Sequence, residues 1–267
     1  MEQIQIRLLG VRGTATRMGT DNRKYGGATS CVLVQLGATS VLLDAGTGLL
    51  SLRDYSRATR LHLLLSHPHL DHLAGLPASP LWMEPDTVLS IYAAPHGGRS
   101  AEEQVAALLS PPLWPVGAEA LPATATFYDL IDPVFSIDGV TVATMEGRHP
   151  GGCTVFRLSY GGKSMVYATD FEQDAGGDEA LCAFAQNCDL LLCDGEYAPE
   201  ELADRRGFGH STWRFAAELG ARCGAAQTKI IHHALYRTDG ALDAAERALR
   251  GQYPACSFAR AGEEILL

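Results

Sequence analysis

No stretch of this 267-residue chain is rich in lysine or arginine: 21 basic residues face 31 acidic ones, for a net charge of −10. Sequence-independent nucleic-acid binding draws on clustered positive charge, so that class of function is disfavoured. An acidic protein still acts on phosphate esters where bound cations supply the local positive charge. No two of the seven cysteines have CxxC spacing. Their odd number and apolar settings, SCVLV and LLLCD among them, read as reduced core thiols rather than a disulfide framework. No apolar run reaches membrane-spanning length, and no secretory segment opens the chain. The expectation is a cytoplasmic protein without membrane association. Neither the GxGxxG nor the P-loop pattern occurs, even in the glycine-rich stretch from Val11 to Ser30. A content of 46% hydrophobic and 19% charged residues is that of an ordinary globular protein. We take residues 1–267 as one domain, with 77–130 as a lid or wall segment.

What the chain does have is histidine and aspartate at strand exits. The apolar run Leu61–Leu65 leads into Ser66-His67-Pro68-His69-Leu70-Asp71-His72, three imidazoles and a carboxylate within six residues. Imidazole and carboxylate suit a borderline divalent cation such as Zn²⁺, and the absence of cysteine speaks against a purely structural zinc. His67 and His69, two apart, share a side of an extended segment, while Asp71 and His72 begin the next turn. One segment can thus serve two neighbouring cations. Further along, Asp44, His149, Asp170, Asp194 and His232 each follow an apolar strand, and seven of the nine histidines lie in or beside such loops. Strands sharing one sheet edge bring their trailing loops together there, which points to a two-metal site. Of the other histidines, His62 reads as a sheet residue and His96 as a bystander.

The local patterns predict hairpins at Cys31–Leu36/Ser40–Asp44, Val134–Ile137/Val140–Met145 and Thr154–Ser159/Lys163–Ala168. They predict helices at Ser100–Leu109, Asp178–Gln186, Trp213–Arg222 (capped by Ser211 or Thr212) and Ala241–Arg250. The proline-rich Ser110–Pro115, with Trp82 and Trp114 nearby, is a lid, a pocket wall or core packing.

In order along the chain, Asp44, His67-x-His69-x-Asp71-His72, His149, Asp170 and His232 resemble the five motifs of the metallo-β-lactamase-fold hydrolases. The opening GVRGTATRMGTDNRKYGGATSCVLV, the HPGG after His149, the ATD around Asp170 and the GHST at His210 resemble one branch more narrowly. That branch holds the tRNA 3′-processing ribonuclease and the cyclic-phosphate phosphodiesterase of phosphonate breakdown. The resemblance implies an α/β fold, a four-layer αββα sandwich of two mixed sheets with outer helices. It implies that His67, His69 and His149 hold one divalent cation, that Asp71, His72 and His232 hold a second, and that Asp170 bridges them. Zn is the favoured metal and Mn the second candidate. Asp44 would orient His72 or His69 through an N–H bond. His210 backed by Asp194 would be the proton donor to the leaving group, and Asp71 is counted with the catalytic carboxylates. Two features depart from the branch. The last motif reads His232-His233-Ala234-Leu235-Tyr236-Arg237-Thr238-Asp239 where relatives have HHDPxHSD, which leaves His232, favoured as nearest the strand, and His233 as rival ligands. A glycine- and lysine-rich arm for gripping tRNA is also missing.

The expectation is therefore a dinuclear phosphodiesterase acting on a small or cyclic phosphodiester, with nucleic acid disfavoured and a homodimer allowed. In such a site paired cations acidify a water held between them. Alternatives on the same scaffold are a lactone, thioester or amide hydrolase, a mononuclear iron oxidoreductase and a non-catalytic sensor.

Overall fold

The structure is a computed structural model, and it describes residues 3–174 and 178–267. Fourteen strands are formed among the described residues. The first seven in the chain are β1 (Ile4–Gly10), β2 (Cys31–Leu36), β3 (Thr39–Leu43), β4 (Arg60–Leu65), β5 (Val88–Ala93), β6 (Thr124–Asp129) and β7 (Val134–Ile137). The remainder are β8 (Val140–Gly147), β9 (Cys153–Tyr160), β10 (Lys163–Ala168), β11 (Leu190–Asp194), β12 (Gln227–Ile231), β13 (Cys256–Phe258) and β14 (Glu264–Leu266). They make two seven-stranded sheets, in the orders β14-β1-β2-β3-β4-β5-β6 and β13-β12-β11-β10-β9-β8-β7. Both sheets are mixed. β14, β1, β2 and β3 are antiparallel neighbours, whereas β3 to β6 run parallel. In the second sheet β7 to β10 are antiparallel and β10 to β13 parallel.

Strand periodicity splits the side chains between layers. In β11, Leu190 and Leu192 enter the core between the sheets, while Leu191 and Cys193 face outward onto helices. In β4, Leu64 faces the inner core and Leu61, Leu63 and Leu65 the outer one. Such strands are largely apolar because both faces are covered, His62 being the buried exception in β4. The outer layers are helical: α1 (Leu52–Tyr55), α2 (Leu70–Leu73) and α3 (Ala101–Ala106) on the first sheet, and α4 (Glu179–Phe184), α5 (Leu202–Arg205), α6 (Trp213–Cys223) and α7 (Asp239–Arg250) in the second half. This is the four-layer αββα sandwich expected from the sequence. Helix α6 approaches β12 closely at Gly220, where a β-carbon would lie 2.0 Å from Thr228 Oγ1.

The three hairpins form, and Thr212 rather than Ser211 caps α6 by accepting from Phe215 N. Helices 100–109 and 178–186 come out shorter, at α3 and α4. A full capping box at Ser100 and Glu103 starts α3. Strands β6, β13 and β14 went unread, because TATFYD, CSF and EIL are too short or too exposed to carry a period. Residues 77–130 supply β5 and β6, the outer strands of the first sheet, with Trp82 buried beneath them. Ser110 and Pro111 line a cavity of about 520 Å³ with α3 and β6, and none of the donor residues described below lines it. All seven cysteines are free thiols, six of them buried. Among the described residues no helix is long and apolar enough to cross a membrane.

Candidate metal centre

Strands β3, β4, β8, β10, β11 and β12 end on the same side of the sandwich, because β3 and β4 are parallel, as are β10 to β12, and two antiparallel steps give β8 the direction of β10. Their trailing residues Asp44, Ser66-His67, His149, Asp170, Asp194-Gly195-Glu196 and His232 converge at that edge, as ligand-bearing loops do in mixed α/β sheets. Three of them leave their strands in the left-handed region: Asp44 (φ 60°), Asp170 (φ 48°) and His232 (φ 59°). That conformation costs on the order of 1–3 kcal/mol for a residue with a β-carbon, and packing around the site holds it. Gly13 is required where the first loop crosses His232, since a β-carbon there would lie 2.3 Å from the imidazole.

Among the described residues three groups of four have ligand atoms within 4.8 Å of one another: His67, His69, His149 and Asp170; Asp71, His72, Asp170 and His232; and Asp170, Asp194, His210 and His232, which overlaps the second. In the first, His149 Nε2 is 2.9 Å from His69 Nδ1, and Asp170 Oδ2 is 3.5 Å from His67 Nε2 and 3.7 Å from His149 Nε2. In the second, Asp170 Oδ1 lies 3.2 Å from His72 Nε2 and 3.3 Å from His232 Nε2. Asp71 Oδ2 lies 3.4 Å and 3.1 Å from the same two nitrogens. Four ligands placed tetrahedrally about 2.0–2.1 Å from one cation would stand about 3.3 Å apart. The observed separations bracket that edge length, and each oxygen of Asp170 belongs to a different group. His67 Nε2 is buried without a hydrogen-bond partner. A buried lone pair left so is costly unless something electrophilic meets it. The donor set therefore fits divalent-cation binding.

Partners behind the rings set which nitrogen faces inward. Asp44 accepts from His72 Nδ1 at 2.7 Å, and also from Ser66 N, Ser66 Oγ and Tyr167 OH at 2.7–2.8 Å. Of the two rings expected for Asp44, it orients His72. His149 Nδ1 donates to Gly209 O at 2.9 Å, and His232 Nδ1 to Glu196 Oε2 at 3.1 Å. Thr169 Oγ1 donates to Asp170 Oδ1 at 2.6 Å and Thr14 N to Asp71 Oδ2 at 2.8 Å. His233 turns away: its Nε2 donates to Ala259 O at 2.8 Å, its ring packs on Tyr25 and Phe258, and burial presses its pKa down to about 3. Of the rival pair, His232 is the one brought to the cluster.

Charge follows the same plan. Burial opposes ionisation of Asp71 and Asp170, yet the facing imidazoles outweigh it and hold both carboxyls well below their ordinary range. Burial keeps His67, His69 and His149 below the usual imidazole pKa, so these rings offer lone pairs at neutral pH. For His72 burial acts the same way, but Asp170, Asp44 and Asp71 overcome it and raise the ring well above its usual value.

Beside the cluster, His210 Nδ1 donates to Asp194 Oδ2 at 2.7 Å, and its Nε2 lies 3.3 Å from Glu196 Oε2. Its ring stacks on His232, with centroids 4.6 Å apart. Burial opposes its protonation, and the charge and hydrogen bond of Asp194 overcome this, raising its pKa. His62 instead meets Asp138 (3.2 Å) and Tyr92, and His96 meets Gly151 O. Sequence reasoning missed Glu196, Thr169 and Tyr167. Glu196 alone had a readable signal, as a second carboxylate at the exit of β11.

Residues 39–233 match the beta-lactamase superfamily domain. The chain belongs to the beta-lactamase superfamily. All residues of both donor groups lie inside the matched span. Among curated superfamily relatives, Ribonuclease Z of Bradyrhizobium sp. (strain ORS 278) is 24% identical, over 82% of this chain and 87% of its own. The crystal structure of the metallo-beta-lactamase fold protein YhfI from Bacillus subtilis superposes with a TM-score of 0.76 at 20% identity, covering 100% of both chains. A diphosphatase from the PhnP family gives 0.73 at 17% identity, covering 99% of this chain and 97% of its own.

Proposed function

We propose that this superfamily member, a metal-dependent hydrolase, cleaves a small or cyclic phosphodiester at a pair of divalent cations. The observation that carries the reading is the shared carboxylate: two four-donor groups meet at Asp170, one oxygen in each. His67, His69, His149 and Asp170 would hold one cation, and Asp71, His72, His232 and Asp170 the other, with Zn favoured over Mn. Bound there, the pair supplies Lewis acidity that makes water acidic near neutral pH and offsets charge on phosphoryl oxygens.

The chain's own residues do the rest. Asp44, Glu196 and Gly209 O fix three imidazoles with Nε2 facing inward, so little reorganisation accompanies binding or reaction. Thr14 N and Thr169 Oγ1 hold Asp71 and Asp170 in place. His210, kept protonated by Asp194 behind it, gives its Nε2 proton to the departing alkoxide. The net charge of −10 favours a small substrate over a polynucleotide. The names of relatives such as Ribonuclease Z favour a second reading, a nucleic-acid substrate.

One experiment separates these. Metal content per chain is measured together with turnover of bis-nitrophenyl phosphate, nucleoside cyclic phosphates, a precursor tRNA, a lactone and a thioester. About two Zn or Mn per chain with cyclic diesters preferred supports the proposal. One metal per chain, or preference for the tRNA, lactone or thioester, overturns it.

A further inference from the structure

The loop before His210 presents an aromatic ring to solvent on a fixed backbone. Phe208 is 54% exposed. Scattered exposed apolar residues are ordinary, but the setting of this one is not. The carboxylate of Glu172 accepts from Gly207 N at 2.8 Å and from Gly209 N at 2.9 Å, so both flanking peptides are pinned. Gly207 and Gly209 adopt φ of 84° and 90°, and a β-carbon on Gly209 would lie 2.1 Å from His149 Nδ1. Phe208 therefore stands one residue from the backbone that abuts His149 and two from His210. The guanidinium of Arg205 lies 5.9 Å from the Phe208 ring and 6.0 Å from that of Tyr197, at the outer reach of cation–π attraction. Tyr197 in turn meets His210 edge-on, with centroids 5.7 Å apart. Arg205 thus lies between the rings of Phe208 and Tyr197, and Tyr197 borders the candidate proton donor edge-on. His69, on the other side of His149, is exposed, so the donor cluster is open to a ligand nearby.

From this geometry we infer that Phe208 is a stacking platform for a nucleobase, so that the substrate is a small nucleoside-bearing phosphodiester. The inference rests on the phosphodiesterase reading and names its substrate class. A rigid ring binds a flat partner at little entropic cost, and base–aromatic stacking is worth about 5- to 150-fold in affinity.

The test compares kcat/KM for a nucleoside 2′,3′-cyclic phosphate with that for propane-1,2-diol cyclic phosphate, in wild type, Phe208→Ala and Phe208→Trp, all metal-loaded. Wild type should prefer the nucleoside. Phe208→Ala should cut that preference about 10-fold or more, through KM, and Phe208→Trp should keep it. Calorimetry supplies a readout independent of turnover: adenosine monophosphate should bind more tightly than ribose 5-phosphate in wild type and lose that advantage in Phe208→Ala. A preference unchanged in Phe208→Ala, or absent in wild type, overturns the inference. If no cyclic diester is hydrolysed but the Phe208-dependent binding advantage persists, the phosphodiesterase reading fails and the platform stands.

Discussion

Asp44 touches no substrate in this arrangement, yet its replacement by asparagine should weaken metal binding measurably. The fully buried carboxylate accepts from Ser66 N, Ser66 Oγ, Tyr167 OH and His72 Nδ1, all within 2.8 Å. An amide oxygen has two lone pairs, and the amide nitrogen would point a donor at donors, so about two of the four groups lose their acceptor. At roughly 1–3 kcal/mol for each unsatisfied buried group, folding stability should fall by about 2–6 kcal/mol. Two effects then compete at the metal centre. Losing the negative charge makes His72 easier to deprotonate, which by itself favours ligation. Losing the acceptor frees the ring to rotate or to place its proton on Nε2, which opposes it. Removal of such a supporting partner typically costs 10–100-fold in metal affinity, so the second effect should win. The assay is a zinc titration against a competing chelator, well below the melting temperature of the variant, with metal-free melting curves recorded alongside. An Asp44→Asn protein that binds zinc as tightly as wild type would refute the reasoning, whatever its stability.

The adjacent histidines should separate cleanly. His232→Ala should lose about one metal equivalent per chain, whereas His233→Ala should keep both and lose only ring packing and the hydrogen bond to Ala259 O, which metal analysis and melting curves distinguish. In the metal-free protein His233, held at about 3 against 6.5, stays neutral where the unfolded chain takes up a proton. Its contribution is present above pH 6.5 and is lost as pH falls toward 3, to the extent of roughly 3–5 kcal/mol; His233→Leu should flatten that slope in chemical denaturation. His210→Ala should slow alkyl diesters by about 10²–10⁴-fold and nitrophenyl esters far less. The raised pKa of His210 should appear as a falling alkaline limb for alkyl substrates, because the donor proton is lost as pH rises through it; equal losses on both ester types would make His210 a supporting residue only.

Several parts of this molecule were legible before folding. The strands of the sandwich interior are largely aliphatic, as at Leu190–Cys193 and, His62 aside, Leu61–Leu65, and such runs announce themselves. The donors were legible because metal chemistry draws on few residue types, and HPHLDH concentrates them. What stayed hidden were groups defined by a partner remote in the chain. Tyr167 is an ordinary strand tyrosine until its hydroxyl meets Asp44, and Thr169 is a turn residue until it holds Asp170. Glu172 pins Gly207 and Gly209 only through contacts across 35 and 37 residues. Strands β13 and β14 are three residues long and owe their existence to the neighbouring β12 and β1.

The sequence by itself determined the candidate composition of the centre: which side chains are available as donors, and that they follow strands. Those are local matters of residue type and spacing. Only the tertiary structure decided that Asp44 meets His72 rather than His69, and that His232 enters while His233 packs on Tyr25 and Phe258. Those outcomes depend on the direction each backbone takes on leaving its sheet, here a left-handed turn at Asp44, Asp170 and His232, and packing across the whole sandwich sets that direction.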